Sequence, residues 1–313
     1  MADAIRGSLA ALHVVASVDM PPSATSRIGR WLFVLALSVY GFTAGGSLTT
    51  TDAVVAFDVT RNIVEHGTVA MSGNLLGMEA HRGADGRYYS PFGIAQSLYN
   101  IPFYVAGKSF VSITGSHLGK GDSIPKAFVA LGQTLLCAAI VSLTFHLAVA
   151  VTGDVVASAV AAITLGFASV LWPYARFGFN QPLACVTLLI AVSRAYAGWR
   201  RAGVREFAAA GVWLSAALMT RHEMILAAAP IAGCLVLPFV GPWNRTRAQQ
   251  LLAFAAATAG GVVVWLVFNA VRFGNPLDSG FLRDPVPGFG SPLGQGILAL
   301  LFSPSASIFL YSP

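Results

Sequence analysis

Acidic side chains are concentrated in residues 49–93, directly after the first long apolar run of the chain. Only 10% of the 313 residues are charged, yet this segment contains five acids: Asp52, Asp58, Glu65, Glu79 and Asp85. Asp52 comes first, where the apolar run ends, so we expect it at a membrane boundary. A carboxylate held there is partly desolvated, which raises its pKa and its basicity toward a hydroxyl group. Asp52 is therefore the first candidate catalytic residue.

Structural roles compete with catalysis for these acids. Residues 49–52 are three Thr and one Asp, and each could cap a helix over residues 53–64; capping is compatible with catalysis. Asp58 is the second catalytic candidate, as an acid that assists Asp52. Asp58, Arg61 and Glu65 also follow one another at spacings of three and four, and ion pairing within a helix explains that pattern adequately.

Cationic and aromatic side chains recur in the polar segments that follow the apolar runs. The candidate substrate-binding residues are Arg82, Tyr88, Tyr89, Arg176, Arg221, His222 and Arg272. The fork of an Arg guanidinium suits a phosphate, and Tyr could stack on a sugar or bind a phosphate. The competing explanations are Arg side chains that snorkel to the membrane surface and Tyr side chains that anchor in the headgroup region. Several such groups on one face favour a site, because ionisable groups near a bilayer are costly and often functional.

The elements that must position these residues are apolar helices. Apolar residues make up 56% of the chain, above the roughly 45–50% of soluble domains, whose charged fraction is about 25%. Seven apolar runs have a length that suits a membrane crossing: 31–48, 127–150, 155–172, 179–198, 206–220, 223–240 and 248–271. The sequence predicts an all-α polytopic membrane protein with about seven transmembrane helices and a large first extracytoplasmic loop that contains interfacial helices.

Arginine clusters predict the orientation of these spans. Arg residues at 27 and 30, at 200, 201 and 205, and at 245 and 247 are all cytoplasmic by the positive-inside rule. The count works only if the apolar stretch 94–112 does not cross, so we expect it to be an interfacial helix on the outer surface. We predict a disordered cytoplasmic tail over 1–29 and a transmembrane domain over 30–313, whose first outer loop is 49–126. Nine of the thirteen acids then lie outside the cell.

Several classes of function are disfavoured. The net charge of +6 comes mostly from Arg at the ends of spans, so it does not indicate a nucleic-acid partner. The three Cys residues lie inside apolar runs and show no CxxC spacing, which favours packing over a metal or redox site. No glycine-rich nucleotide fingerprint or Asp-x-Asp motif occurs. We predict no metal site and identify no required cofactor; a divalent metal is compatible with the chemistry, but no motif supports it.

Four blocks of sequence resemble the GT-C superfamily of membrane glycosyltransferases, in particular members similar to protein mannosyltransferases and lipid A aminoarabinose transferases (glycosyltransferase family 39-like). The blocks are Thr51-Asp52 with 61–67, then 86–93 with 96–98 and 101–104, then Asn269 with 272–276 and 279–281, and finally 301–304 with 309–313. The resemblance covers about residues 30–313. Family members usually continue through further spans, so the resemblance predicts a C-terminally truncated chain.

The resemblance implies a specific reaction. Such enzymes transfer a sugar, with inversion, from a polyprenyl-phosphate donor to a cell-envelope glycan, lipid or protein on the outer face of the membrane, here the bacterial inner membrane. Asp52 matches the family's catalytic base. A second acid usually follows it directly, whereas this chain has Ala53, and Asp58 would have to compensate. Arg221 and Arg272 would hold the lipid phosphate.

Two other classes of function stay open from the sequence. A secondary transporter or lipid flippase would place ionisable groups or broken helices near the middle of the membrane, and the predicted spans carry almost no charge there. A non-catalytic membrane assembly subunit is the other alternative.

Overall fold

A computed structural model describes residues 22–75, 80–115, 121–236, 243–280, 292–304 and 307. These residues are mainly helical, with almost no sheet. The helices are α1 (Pro22–Thr43), α2 (Thr51–His66), α3 (Ala95–Thr114), α4 (Ser123–Thr152), α5 (Val155–Phe167), α6 (Leu171–Phe177), α7 (Gln181–Arg201), α8 (Val204–Thr220), α9 (Ala228–Val236), α10 (Arg245–Phe273) and α11 (Leu293–Phe302). Short 3-10 helices cover Gly73–Leu75 and His222–Ala227. Glu79 and the resemblance blocks at 281 and 309–313 lie outside the described residues, as do residues 1–21 of the predicted tail; residues 22–29 are helical, so the predicted tail extends too far.

Three helices, α4, α7 and α10, are long and apolar enough to cross a membrane. The pair α5 and α6 adds a fourth crossing if the two helices form one broken span. The chain is therefore an integral membrane protein. The other predicted spans correspond to α1, α8 and α9, which are helical but shorter or less apolar, so the described residues support three or four spans by length and composition alone.

The predicted continuous span 155–172 is wrong in one respect, because the helix breaks between α5 and α6 and bends by 45°. The carbonyl groups freed at the break are satisfied within the protein. Tyr40 donates its hydroxyl to the oxygen of Gly166 at 2.7 Å, and Ser169 donates to the oxygen of Leu165 at 2.5 Å. The backbone N–H of Leu171 in turn donates to the Ser169 hydroxyl at 3.2 Å. Local hydrogen bonds of this kind allow a break inside a membrane helix.

Helix α4 is the central support of the first half of the chain. Its later part packs along α1, where Ser142 donates to the oxygen of Gly29 at 3.0 Å. Its first turns contact α2 through side chains: Lys126 lies 5.5 Å from the centre of the Phe57 ring, and Val129 packs in one cluster with Phe57. Helix α4 is 30 residues long, or about 45 Å, and it contacts α1 and α2 with different parts of its length.

Helix α3 packs lengthwise on the same early turns of α4 and has an inverted distribution of polarity. Its buried side chains are mostly polar: Gln96, Ser97, Asn100 and Tyr104. Its exposed side chains include large apolar ones: Leu98, Val105, Phe110 and Ile113. A helix on a water-soluble protein shows the opposite pattern. The inversion fits a helix that contacts lipid; the predicted interfacial position of 94–112 stays a prediction.

A two-stranded hairpin interrupts the helical chain between α2 and α3. Strands β1 (His81–Arg82) and β2 (Tyr88–Tyr89) pair antiparallel. The connecting turn includes Asp85-Gly86, a dipeptide typical of turns, and Gly86 has a φ of +80°, which Gly adopts at no steric cost. The backbone N–H of Ala84 donates to the oxygen of Arg272 at 3.0 Å, so the hairpin is docked on the end of α10.

Candidate functional site

Asp52 lies in the first turn of α2 and is half-buried. The cap of this helix is Thr50, whose side chain accepts a hydrogen bond from the N–H of Ala53 at 3.3 Å. Asp52 is thus not needed as the cap. Burial raises the pKa of Asp52 above its ordinary value of 3.8, although the positive charge of Arg221 and a backbone hydrogen bond act in the opposite direction. The result is a carboxylate of increased basicity on which the charge of Arg221 acts.

The start of α2 is tied to the segment that follows α6. Thr50 donates its hydroxyl to the oxygen of Gly178. Gly178 has a φ of +70°, and a Cβ at this position would lie 3.3 Å from the Cβ of Ala53 and 3.9 Å from the Cγ of Gln133. The chain therefore comes close to the helix that carries Asp52, at the level of the third turn of α4.

Arg221 is the cation whose positive charge lowers the pKa of Asp52 and so opposes the effect of burial. It caps the end of α8, and its Nε donates to Glu223 at 2.5 Å. Its side chain is 28% exposed. The Nη atoms have no hydrogen-bond partner among the described residues. One edge of the guanidinium is held by Glu223, and the other is available to an anion.

His222 follows Arg221, and its ring centre lies 6.1 Å from that of Trp265. His222 is half-buried at the start of the 3-10 helix His222–Ala227. Its role in binding substrate stays a prediction.

Arg272 is buried, with only 3% of its surface exposed, and its hydrogen bonds are made within the protein. Nη1 donates to the backbone oxygens of Ser90 at 2.5 Å and Phe92 at 3.4 Å, and Nη2 donates to Oδ1 of Asn269 at 2.8 Å. Within the described part of the chain, only Nε lacks a partner. The predicted role of Arg272 as a phosphate ligand therefore receives no support from its surroundings.

Aromatic rings hold the same guanidinium from two sides. Its carbon lies 3.9 Å from the centre of the Phe268 ring and 4.8 Å from that of Phe273. Such contacts stabilise a desolvated cation by about 2 kcal/mol or more. A cavity of about 10 Å³ adjoins Arg272 and is also lined by Val55 and Val59 of α2. This is about the space that one ordered water needs.

Asp58 is 3% exposed, and its carboxylate accepts three hydrogen bonds from α2 and the segment that follows it. It accepts hydrogen bonds from Arg61 at 2.5 Å, from Asn62 at 3.3 Å and from the N–H of Ser72 at 2.8 Å. Arg61 also bonds to Asp122 at 3.2 Å, at the start of α4. Both carboxylate oxygens are engaged, so we assign Asp58 to holding the segment around Ser72 rather than to catalysis.

The hairpin residues predicted to bind substrate differ in their exposure. Tyr89 is 3% exposed, donates its hydroxyl to Asp85 at 2.7 Å and packs against Phe273 at 6.1 Å between ring centres. Tyr88 is half-buried, while its partner across the hairpin, Arg82, is exposed. Tyr89 is thus a structural residue, and of the three only Tyr88 and Arg82 present accessible surface.

Arg176 is exposed at the end of α6, two residues before Gly178. Its guanidinium carbon lies 5.6 Å from the centre of the Phe177 ring. It forms no ion pair among the residues that the structure describes. Since Gly178 accepts the hydrogen bond from Thr50, Arg176 lies on the segment that adjoins the helix of Asp52, and it is a second available cation on that side.

Three features of this region were not predicted. Glu223 holds Arg221, and the Arg-x-Glu spacing was the sequence signal for that contact. Arg272 binds the turn at residues 90–94. In the described ranges, three buried amide oxygens have no hydrogen-bond partner: those of Gln133, Asn180 and Gln181. The amides interrupt otherwise apolar runs, which marks them as unusual but does not show that they adjoin α2.

The described residues contain no group of three or more His, Cys, Asp or Glu side chains that could hold a metal ion. The polar groups of the site are instead carboxylates, guanidinium groups and amides. Such a set is suited to proton transfer and to binding an anionic, hydroxyl-bearing ligand.

Comparison with known proteins gave no match to a protein-family model, to a curated protein or to a solved structure.

Proposed function

We propose that the chain is an integral membrane glycosyltransferase of the GT-C type, which transfers a sugar from a polyprenyl-phosphate donor to an acceptor hydroxyl. The observation that carries the proposal is that the positive charge of Arg221, whose Nη atoms are available, acts on the half-buried Asp52, whose pKa is raised by burial. A base and an anion-binding cation in one place are what the transfer needs. The four sequence blocks that resemble GT-C enzymes support the same reaction.

In the proposed reaction, Asp52 accepts the proton of the acceptor hydroxyl as its oxygen attacks the anomeric carbon. The bond between that carbon and the phosphate oxygen breaks, and the leaving phosphate keeps the electron pair. Arg221 stabilises the negative charge of the leaving group, and the exposed Arg176 is placed to assist. A single displacement inverts the configuration of the anomeric carbon. Arg82 and Tyr88 are the accessible hairpin residues that could contact either substrate.

The proposal includes a location and an orientation. We place α1, α8 and α9, with the preceding 3-10 helix, as three further spans beside the apolar helices, which gives the seven spans of the sequence prediction. The Arg clusters then lie in the cytoplasm, and Asp52 lies at the extracytoplasmic face of the bacterial inner membrane. The apolar exposed face of α3 supports contact of the outer loop with lipid. The acceptor would be a cell-envelope glycan, lipid or protein.

The test is transfer of sugar from a polyprenyl-phosphate donor in membranes that contain the wild-type chain or Asp52→Asn. Asn has nearly the same shape but cannot take the proton, so we expect a loss of at least about 100-fold, within the range of general base catalysis. Arg200→Gln, at the other end of the bundle, is the matched control. Unchanged transfer by Asp52→Asn would exclude Asp52 as the base.

One observation favours a second candidate, a secondary transporter or flippase: the span formed by α5 and α6 is broken, as in many transporters. Two carbonyl groups at the break accept hydrogen bonds from Tyr40 and Ser169, however, and neither Asp52 nor Arg221 is part of the break. The test is transport of a lipid-linked sugar across the membrane of proteoliposomes that contain no acceptor. Transport that Asp52→Asn does not affect would support this candidate over the transferase.

A further inference from the structure

We propose that Arg272 is a positioning residue: it clamps the turn at residues 90–94, and this turn sets the place of Arg221 relative to Asp52. The inference rests on the proposed function for its meaning in catalysis, while the contacts that carry it stand without that function. It gives Arg272 a role different from the phosphate ligand that the family resemblance implies.

One side of the turn is wedged against the end of α8. A Cβ on Gly93 would lie 1.9 Å from the backbone oxygen of Met219 and 2.9 Å from that of Thr220. No side chain fits at such distances, so the two backbones are in direct contact. Arg221 is the next residue after Thr220, and a shift of the turn would therefore move it.

The other side of the turn packs on the helix of Asp52. Phe92 and Ile94 pack on a cluster formed by Val55 and Val59 of α2. Asp52, Val55 and Val59 are three and four residues apart and share one face of that helix. The turn is thus a spacer between the element that carries Asp52 and the element that carries Arg221.

Arg272 holds this spacer by donating hydrogen bonds to the backbone carbonyl oxygens of the spacer. Nη1 binds Ser90 and Phe92, and Nη2 is fixed by Asn269. These bonds require the planar fork of Arg, which Lys lacks. Arg221 is the only Arg whose charge acts appreciably on Asp52 in the described structure. Loss of Arg272 should therefore affect Asp52 through the position of Arg221 and not through its own charge.

The test reads the surroundings of position 52 without any need for transfer. Asp52→Cys is introduced into a chain whose three native cysteines are replaced by Ala, and the pH dependence of alkylation by iodoacetamide gives the pKa of the new thiol. Arg221→Gln removes a nearby positive charge, so the thiol pKa rises by about half a unit or more. We expect Arg272→Gln and Arg272→Lys to raise it by a similar amount, and neither to add to Arg221→Gln in the double variant.

Two controls complete the design. Arg87→Gln breaks the exposed pair with Asp85 on the hairpin and should leave the thiol pKa unchanged. Asn269→Ala keeps Arg272 but removes the acceptor of Nη2, so it gives a smaller shift of the same sign and serves if the Arg272 variants do not fold. A wild-type pKa in Arg272→Lys or in Asn269→Ala, or an additive effect of Arg272→Gln and Arg221→Gln, would overturn the clamp. If the thiol pKa shifts as expected but the wild-type chain transfers no sugar, the clamp stands and only the proposed function is rejected.

Discussion

Asp58 offers the sharpest separation of a structural from a catalytic role. Asp58→Ala removes a carboxylate that is 3% exposed and leaves Arg61, Asn62 and the N–H of Ser72 without their acceptor. Removing one member of a buried ion pair costs about 3–5 kcal/mol. Arg61 is 26% exposed and keeps Asp122 as a partner, so we expect the lower end, about 3 kcal/mol. That corresponds to roughly a 100-fold change in the unfolding equilibrium.

The assay is unfolding of the purified protein in mixed micelles with increasing SDS, compared with Asp58→Asn. Asn keeps one acceptor oxygen and loses the charge, so it should lose about half as much stability while any transfer activity persists per folded molecule. Asp85→Asn on the exposed hairpin is the control, without an expected loss of this size. Wild-type stability of Asp58→Ala, or an inactive but stable Asp58→Asn, would refute the structural role and restore Asp58 as a catalytic candidate.

Three further outcomes are expected. Transfer requires ionised Asp52, whose pKa is raised, so the rate should fall as pH decreases toward a value above 3.8, and Arg221→Gln should move this limb to higher pH; a pH–rate profile checks both. Gly93→Ala should destabilise the protein by about 1–3 kcal/mol or more because the added carbon meets backbone, whereas Gly260→Ala, which meets nothing within 4 Å, should be neutral or slightly stabilising in the same SDS titration. Tyr40→Phe should cost about 1 kcal/mol, since it leaves one carbonyl of α5 without its donor, and equal stability would contradict the role given to that bond.

The apolar runs predicted the helices well because burial and membrane crossing both require apolar residues that are close together in the sequence. The predicted runs 127–150 and 248–271 lie within α4 and α10, and 179–198 corresponds closely to α7. The break in 155–172 was missed because Ser169 bonds locally at a point where the sequence stays apolar. The Asp85-Gly86 dipeptide is typical of a turn, but the hairpin itself was not predicted, since two paired residues on each side give no periodic signal.

The residues of the candidate site show where sequence reasoning stops. Composition and the position of Asp52 at the end of an apolar run were sufficient to select it among the acids, because desolvation at such a boundary follows from the local sequence. The roles of the arginines depend on partners far along the chain. Arg272 meets Ser90 and Phe92 about 180 residues earlier, and the charge of Arg221 acts on Asp52, which lies far earlier in the chain.

The sequence by itself determined that this is a helical membrane protein whose acids gather behind the first apolar run, because those properties depend on residue type and spacing. Only the tertiary structure decided which charged groups are free. It showed Asp58 and Arg272 bound within the protein, and it left Asp52 half-buried and under the influence of the positive charge of Arg221. The physical reason is that hydrogen bonds and burial determine whether a charged group can bind a ligand. These contacts form between segments that are far apart in the sequence.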